Sequence, residues 1–276
     1  MTPRGNTSRL SQEKAHTAQE GPQLSAVRQH RLLEIVRERG AMGIRELCDY
    51  LQVSDATVRR DLTYLDRRGL LSRTHGGVVA NSMVGHDLPD SARLHINEEE
   101  KRRIGEAAID LLEGDETVLI DAGTTALPIA MNARRKPNCT YVTTSLGIAL
   151  ILKDQGIAKH YLVGGSYLPV NDSYCGSIAI AAIRSLSFDI ALLCVSAIDL
   201  QRRAISLGSE AYAHVQREIV SVSRKNVVVA DHSKFRASAF VQTVHFDNLD
   251  AILTVQEVDD SVKAALAREK LELRLA

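Results

Sequence analysis

Residues 53–79, VSDATVRRDLTYLDRRGLLSRTHGGVV, carry the side chains best suited to contacting nucleic acid. Val58, Leu62 and Leu65 fall at i, i+4 and i+7, a spacing that predicts one buried stripe on a helix. At 100° per residue, the opposite side of that helix faces outward. Arginine binds guanine bidentately in the major groove, so an outward Arg60 predicts base recognition. The candidate DNA contacts of this helix are Ser54, Asp55, Ala56, Thr57, Arg59, Arg60, Thr63, Tyr64 and Arg67.

The flank of this helix and the hairpin that follows supply further candidate contacts. Arg59 lies toward the flank, where a guanidinium contacts backbone phosphates, which position a protein without specifying sequence. In the hairpin, Arg73 and His75 stand beside Gly76 and Gly77, where the absence of Cβ atoms would let the backbone approach a phosphate strand. The competing interpretation is a small helical adaptor with a solvated charged face.

A second set of polar residues follows predicted strands further along the chain. One strand is followed by DAGTT and a helix, and another by TTS and a helix. Backbone N–H groups and hydroxyls at a helix N-terminus favour an anion, and the carboxyl ends of parallel strands meet at one sheet edge. The competing interpretation is that these Thr and Ser residues only cap helices. The candidate anion-pocket residues are Asp121, Gly123, Thr124, Thr125, Thr143, Thr144, Ser145, Gly164, Gly165 and Lys234.

The surrounding sequence predicts two domains. Residues 1–24 lack hydrophobic periodicity and predict a disordered tail. Residues 25–80 predict three short helices and a hairpin, the outline of a winged helix-turn-helix. Residues 81–97 have no period and contain Gly and Pro, which predicts a linker. In residues 98–276, short apolar runs alternate with helical stretches, which predicts a doubly wound, mostly parallel α/β sheet.

A capping signal marks the start of the second domain. Asn97 precedes a helical pattern, and Glu100 follows three residues later, which is the spacing of a capping box. We therefore expect Asn97 to cap this helix.

Composition narrows the class of protein. Basic and acidic residues number 34 each, but residues 1–80 carry 13 basic against 9 acidic residues, which indicates a nucleic-acid partner at that end. The four cysteines form no CxxC pair, as is typical of a reducing compartment. No run approaches the ~20 apolar residues of a membrane span, and no secretory signal is evident. We expect a cytoplasmic protein that does not enter a membrane.

Several runs of the sequence resemble one protein family. VSDATVRRDL followed by LDRRGLLSRTHGGV is similar to the signature of the DeoR family of bacterial transcriptional regulators. EEEKRRIGEAA, DAGTT, VTTSL, VGG, DIALLCVSAID and VVVADHSKF resemble, in the same order, the effector domain of that family. The resemblance implies DNA recognition by the helix beginning near Ser54 and an effector domain similar to ribose-5-phosphate isomerase. It also implies a phosphorylated sugar or polyol as ligand, with Asp121, Asp199 and Lys234 near its polar end.

Two departures from the family pattern bear on the ligand. The family usually has T-N-S where this chain has Thr143-Thr144-Ser145, so an amide that could contact the ligand is missing. After Asp199 the family commonly has a Gly-containing turn, whereas this chain has Arg202 and Arg203, which would suit a more anionic ligand.

These observations predict a DNA-binding regulator, a repressor of sugar or polyol catabolism genes, and not an enzyme. Its predicted partners are an operator in double-stranded DNA, a phosphorylated sugar or polyol and further copies of itself, as a dimer or tetramer. The sequence contains no HExxH, P-loop or GxGxxG motif, so neither a metal nor a cofactor is predicted. Two alternatives remain: a sugar-phosphate isomerase-like enzyme carrying a nucleic-acid-binding module, and a regulator that responds to a protein partner.

Overall fold

The computed structural model describes residues 22–39, 41–67, 71–74, 76–80, 90–235, 237–269 and 271–276. The chain divides into two compact units, with the division between Asn81 and Ser82. The predicted tail lies outside the described residues except for residues 22–24, which are helical rather than disordered. Pro22 begins this helix, because the first turn is where a missing backbone N–H costs nothing.

The first unit combines three helices with a small sheet. Its helices are α1 (Pro22–Arg39), α2 (Ile44–Leu51) and α3 (Asp55–Arg67), and its strands are β1 (Ala41–Gly43), β2 (Leu71–Arg73) and β3 (Gly77–Ala80). The strands pair antiparallel in the order β1-β3-β2. This confirms the predicted winged helix-turn-helix. Strand β1 was not predicted, because three residues are too few to show a periodicity.

The predicted apolar stripe of α3 forms the centre of this unit. Val58, Leu62 and Leu65 are fully buried, as are Leu32 of α1 and Leu47 of α2. All three helices therefore bury one apolar face against the others, which leaves the opposite face of α3 outward.

The wing depends on a glycine in β3. Gly77 pairs with Gly43 of β1, and a Cβ at Gly77 would stand 2.2 Å from the carbonyl oxygen of Met42. A side chain there cannot be accommodated unless the strands move apart. The pairing of β1 with β3 thus requires glycine at position 77. The sequence predicts this glycine only as a place where a phosphate strand could approach the backbone. Gly76 is exposed, with open space where its Cβ would lie.

Gly77→Ala is expected to lower the free energy of unfolding by about 2 kcal/mol, since overpacking against backbone forces β1 and β3 apart. Gly76→Ala is the matched control, because its new methyl group meets nothing within 4 Å. Urea unfolding followed by circular dichroism measures both variants. Equal stability of the two proteins would contradict the role given to Gly77.

The second unit is an α/β domain. Its helices are α4 (Asp90–Arg93), α5 (Glu98–Asp110), α6 (Leu127–Met131), α7 (Leu146–Asp154), α8 (Gly176–Arg184), α9 (Glu210–Val222) and α10 (Asp260–Leu266). Its strands are β4 (Thr117–Ile120), β5 (Thr140–Thr143), β6 (His160–Leu162), β7 (Ser166–Leu168), β8 (Ser173–Cys175), β9 (Ile190–Cys194), β10 (Ala197–Asp199), β11 (Ala204–Leu207), β12 (Asn226–Val229), β13 (Val241–His245), β14 (Ala251–Thr254) and β15 (Glu272–Leu275).

Seven strands of this unit form one parallel sheet in the order β15-β14-β12-β9-β4-β5-β6. Starting from β4, the chain builds outward to β6 and then returns to β9 on the other side of β4. The strand order therefore reverses between β4 and β9, which is the switch point of a doubly wound sheet. The predicted α/β class is confirmed. Two smaller antiparallel sheets, β7-β8 and β10-β11-β13, complete the unit.

The residues before α5 differ from the predicted linker. Residues 81–89 lie outside the described residues, whereas Asp90–Arg93 forms helix α4. The backbone N–H of Asp90 donates to the carbonyl oxygen of Val170 at 3.0 Å, so this helix is bound to the β7-β8 turn. The described part of the linker is thus a folded part of the second unit.

The predicted capping box at α5 is wrong. Asn97 has a left-handed φ of 52° and makes no side-chain cap; its Nδ2 donates instead to Asp231 at 2.9 Å. Glu100 accepts from the backbone N–H of His232 at 3.2 Å. Both side chains reach the loop after β12, because tertiary partners outcompete the local cap. Among the described residues, no helix is long and apolar enough to cross a membrane.

Candidate functional site

The outer face of α3 is the first candidate site. Ser54 caps the helix by accepting from the backbone N–H of Thr57 at 3.3 Å. Ala56, Arg60 and Tyr64 are exposed, and Thr57 and Thr63 are half-buried. The small residues near the helix N-terminus allow close approach to a DNA groove. The guanidinium further along the helix can then reach a base edge.

The two adjacent arginines of α3 have different surroundings. Arg59 forms an ion pair with Asp55 one turn earlier, so both side chains have a partner in the DNA-free protein. The Arg60 guanidinium is exposed and has no hydrogen bond or ion pair within the described residues. Within the described residues, Arg60 has no contact to break before it binds a base, whereas Nε and Nη2 of Arg59 are already bound to Asp55.

The wing is tied to α3 by side-chain contacts. Arg73 of β2 donates to Thr63 Oγ1 at 2.9 Å, and the Thr63 hydroxyl donates to the carbonyl oxygen of Arg59 at 2.7 Å. These bonds fix the wing relative to the outer face of α3. The described part of Arg67 is its backbone, and His75 lies outside the described residues.

A buried carboxylate fixes α3 against α1, and sequence reasoning missed it. Asp61 is 1% exposed although it lies on a helix rich in charge. Arg28 donates to it at 2.5 Å, and Gln29 donates to it at 2.8 Å. The guanidinium of Arg28 and the side-chain amide of Gln29 bind this buried carboxylate, and these bonds fix the orientation of α3 relative to α1. The signal was present, because Asp61 falls between two residues of the apolar stripe.

The second candidate site is a pocket at the switch point of the large sheet. The loop after β4 lines it, together with the loop after β9 at Cys194, Val195 and Ser196. The lining residues of the β4 loop are Ala122, Gly123, Thr124 and Thr125. The remaining lining residues are Arg93, Val170, Asn171, Leu207, Ser209, Tyr212 and Lys234. Open α/β sheets bind ligands in this crevice, at the carboxyl ends of the two strands where the order reverses.

Two cationic side chains of the described residues line this pocket. Lys234 follows β12, as predicted, and its ammonium group has no hydrogen bond or ion pair in the described ranges. Arg93 comes from α4 and forms an ion pair with Asp90. The Nε of Arg93 is buried and has no hydrogen-bond partner within the residues described here. A buried guanidinium N–H without an acceptor suits an anionic ligand group.

A second layer of charge lies next to these cations. Burial is the largest influence on Lys101, and with Lys234 and Arg93 nearby it lowers the lysine pKa to about 8. Burial acts to raise the pKa of Asp231, but Lys234, Ser233, Lys101 and Asn97 together lower it to about 2. Lys101, Lys234 and Arg93 therefore bring three cationic groups close to the carboxylates of Asp90, Asp172 and Asp231.

Asp121 lies beneath the pocket. Its carboxylate is fully buried and accepts from the backbone N–H of Ala122 at 2.9 Å and of Cys194 at 3.1 Å. Gln216 Nε2 donates to it at 2.9 Å, and the Tyr212 hydroxyl donates to it through a short hydrogen bond. Burial raises the pKa of Asp121, and these donors oppose that effect. Asp121 thus joins β4, β9 and α9 and does not itself line the pocket.

The predicted loop of Thr143, Thr144 and Ser145 belongs to the same hydrogen-bond network as Asp121. Ser145 caps α7 by accepting from the backbone N–H of Ile148 at 3.3 Å, and Thr143 Oγ1 accepts from the N–H of Ser145 at 3.1 Å. Thr144 Oγ1 is hydrogen-bonded to the Tyr212 hydroxyl at 2.6 Å. None of the three lines the pocket, and Ser145 is the one among them that caps a helix. The hydroxyl at position 144 is used to hold Tyr212.

The remaining predicted residues also lie away from the pocket lining. Gly164 is exposed, and a Cβ at Gly165 would stand 2.4 Å from the carbonyl oxygen of Cys175, so Gly165 serves packing. Asp199 accepts from the backbone N–H groups of Gln201 and Arg202 at 3.0 and 2.9 Å. Its carboxylate therefore stabilises the turn after β10.

The arginine pair after Asp199 does not add charge to the pocket. Arg203 donates to Glu269 at 2.8 Å and to Asp247 at 2.9 Å. Arg202 is exposed and pairs with Asp199 at 3.7 Å. The expectation of a more anionic ligand based on these residues is therefore not supported by their position.

The sequence run Asp231-His232-Ser233 is not a catalytic triad. Ser233 donates to Asp231, while His232 Nδ1 lies 2.8 Å from Glu100 Oε1, so serine and imidazole do not meet. Glu100, Asp231 and His232 bring metal-ligand atoms within 4.8 Å of one another, but Asp231 is already bound by Asn97 and Ser233. Burial raises the pKa of the Cys194 thiol, which disfavours a thiolate in the pocket.

Sequence reasoning missed several pocket residues, namely Arg93, Asn171, Ser196, Ser209 and Tyr212. Arg93 fell in the predicted linker, so nothing tied it to a ligand. Asn171 lies between β7 and β8, Ser196 between β9 and β10, Ser209 between β11 and α9, and Tyr212 on α9. The order of strands in space, which the sequence does not give, decides that these segments reach the switch point.

A winged helix-turn-helix and a doubly wound unit with a cationic pocket at its switch point are the architecture of a ligand-responsive DNA-binding regulator. The chain matches the DeoR-like helix-turn-helix domain over residues 28–84 and the DeoR C terminal sensor domain over residues 96–256. It belongs to the DeoR family of transcriptional regulators.

The chain is similar to named regulators over most of its length. It is 39% identical to the transcriptional repressor AccR of Agrobacterium fabrum, across 82% of this chain and 88% of that protein. It is 28% identical to the HTH-type transcriptional repressor GlcR of Bacillus subtilis, across 88% and 93%. These relatives confirm the prediction of a transcriptional regulator rather than an enzyme.

Similarity to solved structures is lower. The ribose 5-phosphate isomerase A of Methanocaldococcus jannaschii matches with a TM-score of 0.38 and 15% identity, across 50% of this chain and 55% of that chain. Similarity of this size supports no conclusion about the ligand.

Proposed function

We propose that this chain is a sequence-specific repressor of sugar or polyol catabolism genes, and that a phosphorylated sugar bound in the switch-point pocket controls it. The observation that carries the proposal is that one pocket is lined by Lys234 and by Arg93, whose buried Nε has no hydrogen-bond partner among the described residues. Two cations at this position suit a phosphate, and the hydroxyls of Thr124, Thr125 and Ser209 suit sugar hydroxyl groups.

Control of DNA binding requires that the ligand bind the two states of the protein unequally. For a repressor of catabolic genes, the sugar phosphate binds the DNA-free state more tightly and releases the operator. DNA recognition uses the outer face of α3, with Arg60 on a base edge, and Arg59 and Arg73 on phosphates. One such helix reads few base pairs, so we expect a dimer or tetramer on a two-fold operator, in the cytoplasm.

The isomerase alternative would need a general base, and the described residues that line the pocket include no carboxylate. The Asp121 carboxylate, which a proton transfer would call on, is fully buried and occupied by four donors. Catalysis by general base requires a carboxylate within reach of the substrate. Turnover of a panel of sugar phosphates by the purified chain would reinstate this alternative.

Lys234→Gln tests the pocket. With the wild-type chain, we expect the melting temperature to rise with at least one member of a panel of phosphorylated sugars, because binding stabilises the folded state by mass action. The variant is expected to bind that compound about tenfold or more weakly, since a charge-assisted hydrogen bond is lost. Differential scanning fluorimetry gives both affinities.

Lys159→Gln is the matched control, since Lys159 is an exposed lysine of the same unit that does not line the pocket. It is expected to respond as the wild-type chain does. A flat response of the wild-type chain to the whole panel would reject the phosphorylated effector and favour a regulator that responds to a protein partner.

A further inference from the structure

Arg93 reaches the pocket from an unusual part of the chain. Helix α4, which carries it, follows the stretch of sequence that leads from the winged helix-turn-helix into the second unit. The other cation of the pocket, Lys234, follows a strand of the central sheet. The entry segment, residues 90–101, thus contributes Arg93 to the lining of the pocket, and the sheet, α9 and their loops contribute the other lining residues.

The entry segment is bound at several points to residues at or next to the pocket. Asp90 N–H donates to the carbonyl oxygen of Val170 at 3.0 Å, and Asn97 donates to Asp231 at 2.9 Å. Lys101 Nζ donates to the carbonyl oxygen of Arg93 at 2.5 Å. A movement of Arg93 would therefore act directly on the hydrogen bonds that hold the backbone of the entry segment.

The Arg93 guanidinium is only partly satisfied. Its Nη2 pairs with Asp90, while its Nε is buried and, among the described residues, has no acceptor. The side chains of Arg93 and Asp90 are 15% and 17% exposed. Burial raises the pKa of Asp90, so its carboxylate is less well stabilised here than in water. An anion bound by Nε and Nη2 together, as a fork, would compete with Asp90 for Nη2, at no further cost of desolvating Arg93.

We propose that Arg93 transmits occupancy of the pocket to the entry segment, by exchanging Asp90 for the anionic group of the ligand. This inference rests on the proposed function. In the free protein, the Arg93–Asp90 pair holds α4 in the arrangement seen here. When an anion binds, the guanidinium turns to it, Asp90 loses its partner and the entry segment changes its packing, which gives the ligand the differential contact that a switch requires.

The proposal makes opposite predictions for the two partners. Arg93→Gln removes the contact, and we expect inorganic phosphate to bind about tenfold or more weakly. Asp90→Asn removes the competitor for the guanidinium, and we expect phosphate to bind severalfold more tightly than to the wild-type chain. If Arg93 served structure alone, loss of either partner would loosen α4 and both variants would bind phosphate more weakly.

Inorganic phosphate, titrated at constant ionic strength against chloride, is the probe, and the full chain is used throughout. Melting temperatures give the affinities, and hydrogen–deuterium exchange of peptides covering residues 90–101 gives the response of the entry segment. In the wild-type chain we expect phosphate to change this exchange. In Arg93→Gln we expect no change even at phosphate concentrations that saturate the variant.

Two further variants keep the result interpretable. Arg93→Lys preserves the charge if Arg93→Gln does not fold. It is expected to bind phosphate but to change the hydrogen–deuterium exchange of residues 90–101 less, because an ammonium lacks the planar fork that binds a phosphate through two parallel hydrogen bonds. Arg268→Gln is the matched control, an exposed arginine away from the pocket.

The outcomes separate the two proposals. No phosphate response in the wild-type chain would reject the anion pocket itself. A wild-type response that Lys234→Gln weakens and Arg93→Gln leaves intact would keep the pocket and overturn the role of Arg93. Weaker phosphate binding by Asp90→Asn would also overturn the proposal that the ligand replaces Asp90 at the Arg93 guanidinium.

Discussion

Asp121→Ala is expected to lower the free energy of unfolding by about 3 kcal/mol or more, because it leaves buried donors without an acceptor. The Tyr212 hydroxyl, the Gln216 amide and two backbone N–H groups all point at this carboxylate. Asparagine is not a conservative replacement here, since its NH₂ group would face donors. Urea unfolding followed by circular dichroism measures the effect.

Asp115→Ala provides the comparison for this measurement. Asp115 is an exposed carboxylate just before β4 in the same unit, and its loss is expected to change stability by less than about 0.5 kcal/mol. If Asp121→Ala cost less than about 1 kcal/mol, the network around this residue could not be the framework that the hydrogen bonds indicate.

Arg60→Ala is expected to weaken binding to a specific duplex by about 1–3 kcal/mol, or roughly 5- to 150-fold. Its guanidinium is exposed on the outer face of α3 without a partner among the described residues, so no internal contact is lost with it. The duplex is obtained by in-vitro selection with the wild-type chain. Gel-shift titration gives the affinity, and binding to a scrambled duplex should change little.

Salt dependence separates the two arginines of α3. Arg59→Ala is expected to weaken binding to all duplexes alike and to reduce the slope of log affinity against log salt by about 1, as loss of a phosphate contact does. Arg268→Ala removes the same charge outside the winged helix-turn-helix and is expected to leave binding unchanged. Unaltered affinity of Arg60→Ala for the selected duplex would refute base recognition by this residue.

Much of the fold follows from the sequence because local periodicity and tertiary burial agree. The Val58, Leu62 and Leu65 stripe is fully buried, and the alternating apolar runs form a parallel sheet in doubly wound order. Where the local sequence pattern and the tertiary contacts conflict, prediction from the sequence fails. Asn97 and Glu100 have the spacing of a capping box, yet both bind the loop after β12, because more distant partners offer them better hydrogen bonds.

The candidate pocket was only partly predictable. The loop at Gly123, Thr124 and Thr125 and the cation Lys234 reach it because they follow β4 and β12, near the switch point. The loop at Thr143 follows β5, one strand further out, and its hydroxyls bind neighbouring protein groups instead. A strand-end motif indicates which edge of the sheet a loop occupies, but only the spatial order of strands decides which loops share a pocket.

The Asp121 network has a consequence for how this sensor can change over evolution. The base of the pocket is locked by bonds that join β4, β9, α9 and, through Gln216 and Thr243, β13. The rim includes Val170 and Asn171, which come from the β7-β8 turn outside that network. Mutations at the rim can therefore alter which molecule is recognised while the base keeps its shape. Because the base of the pocket stays rigid while rim residues can be substituted, the same fold can evolve to recognise new ligands.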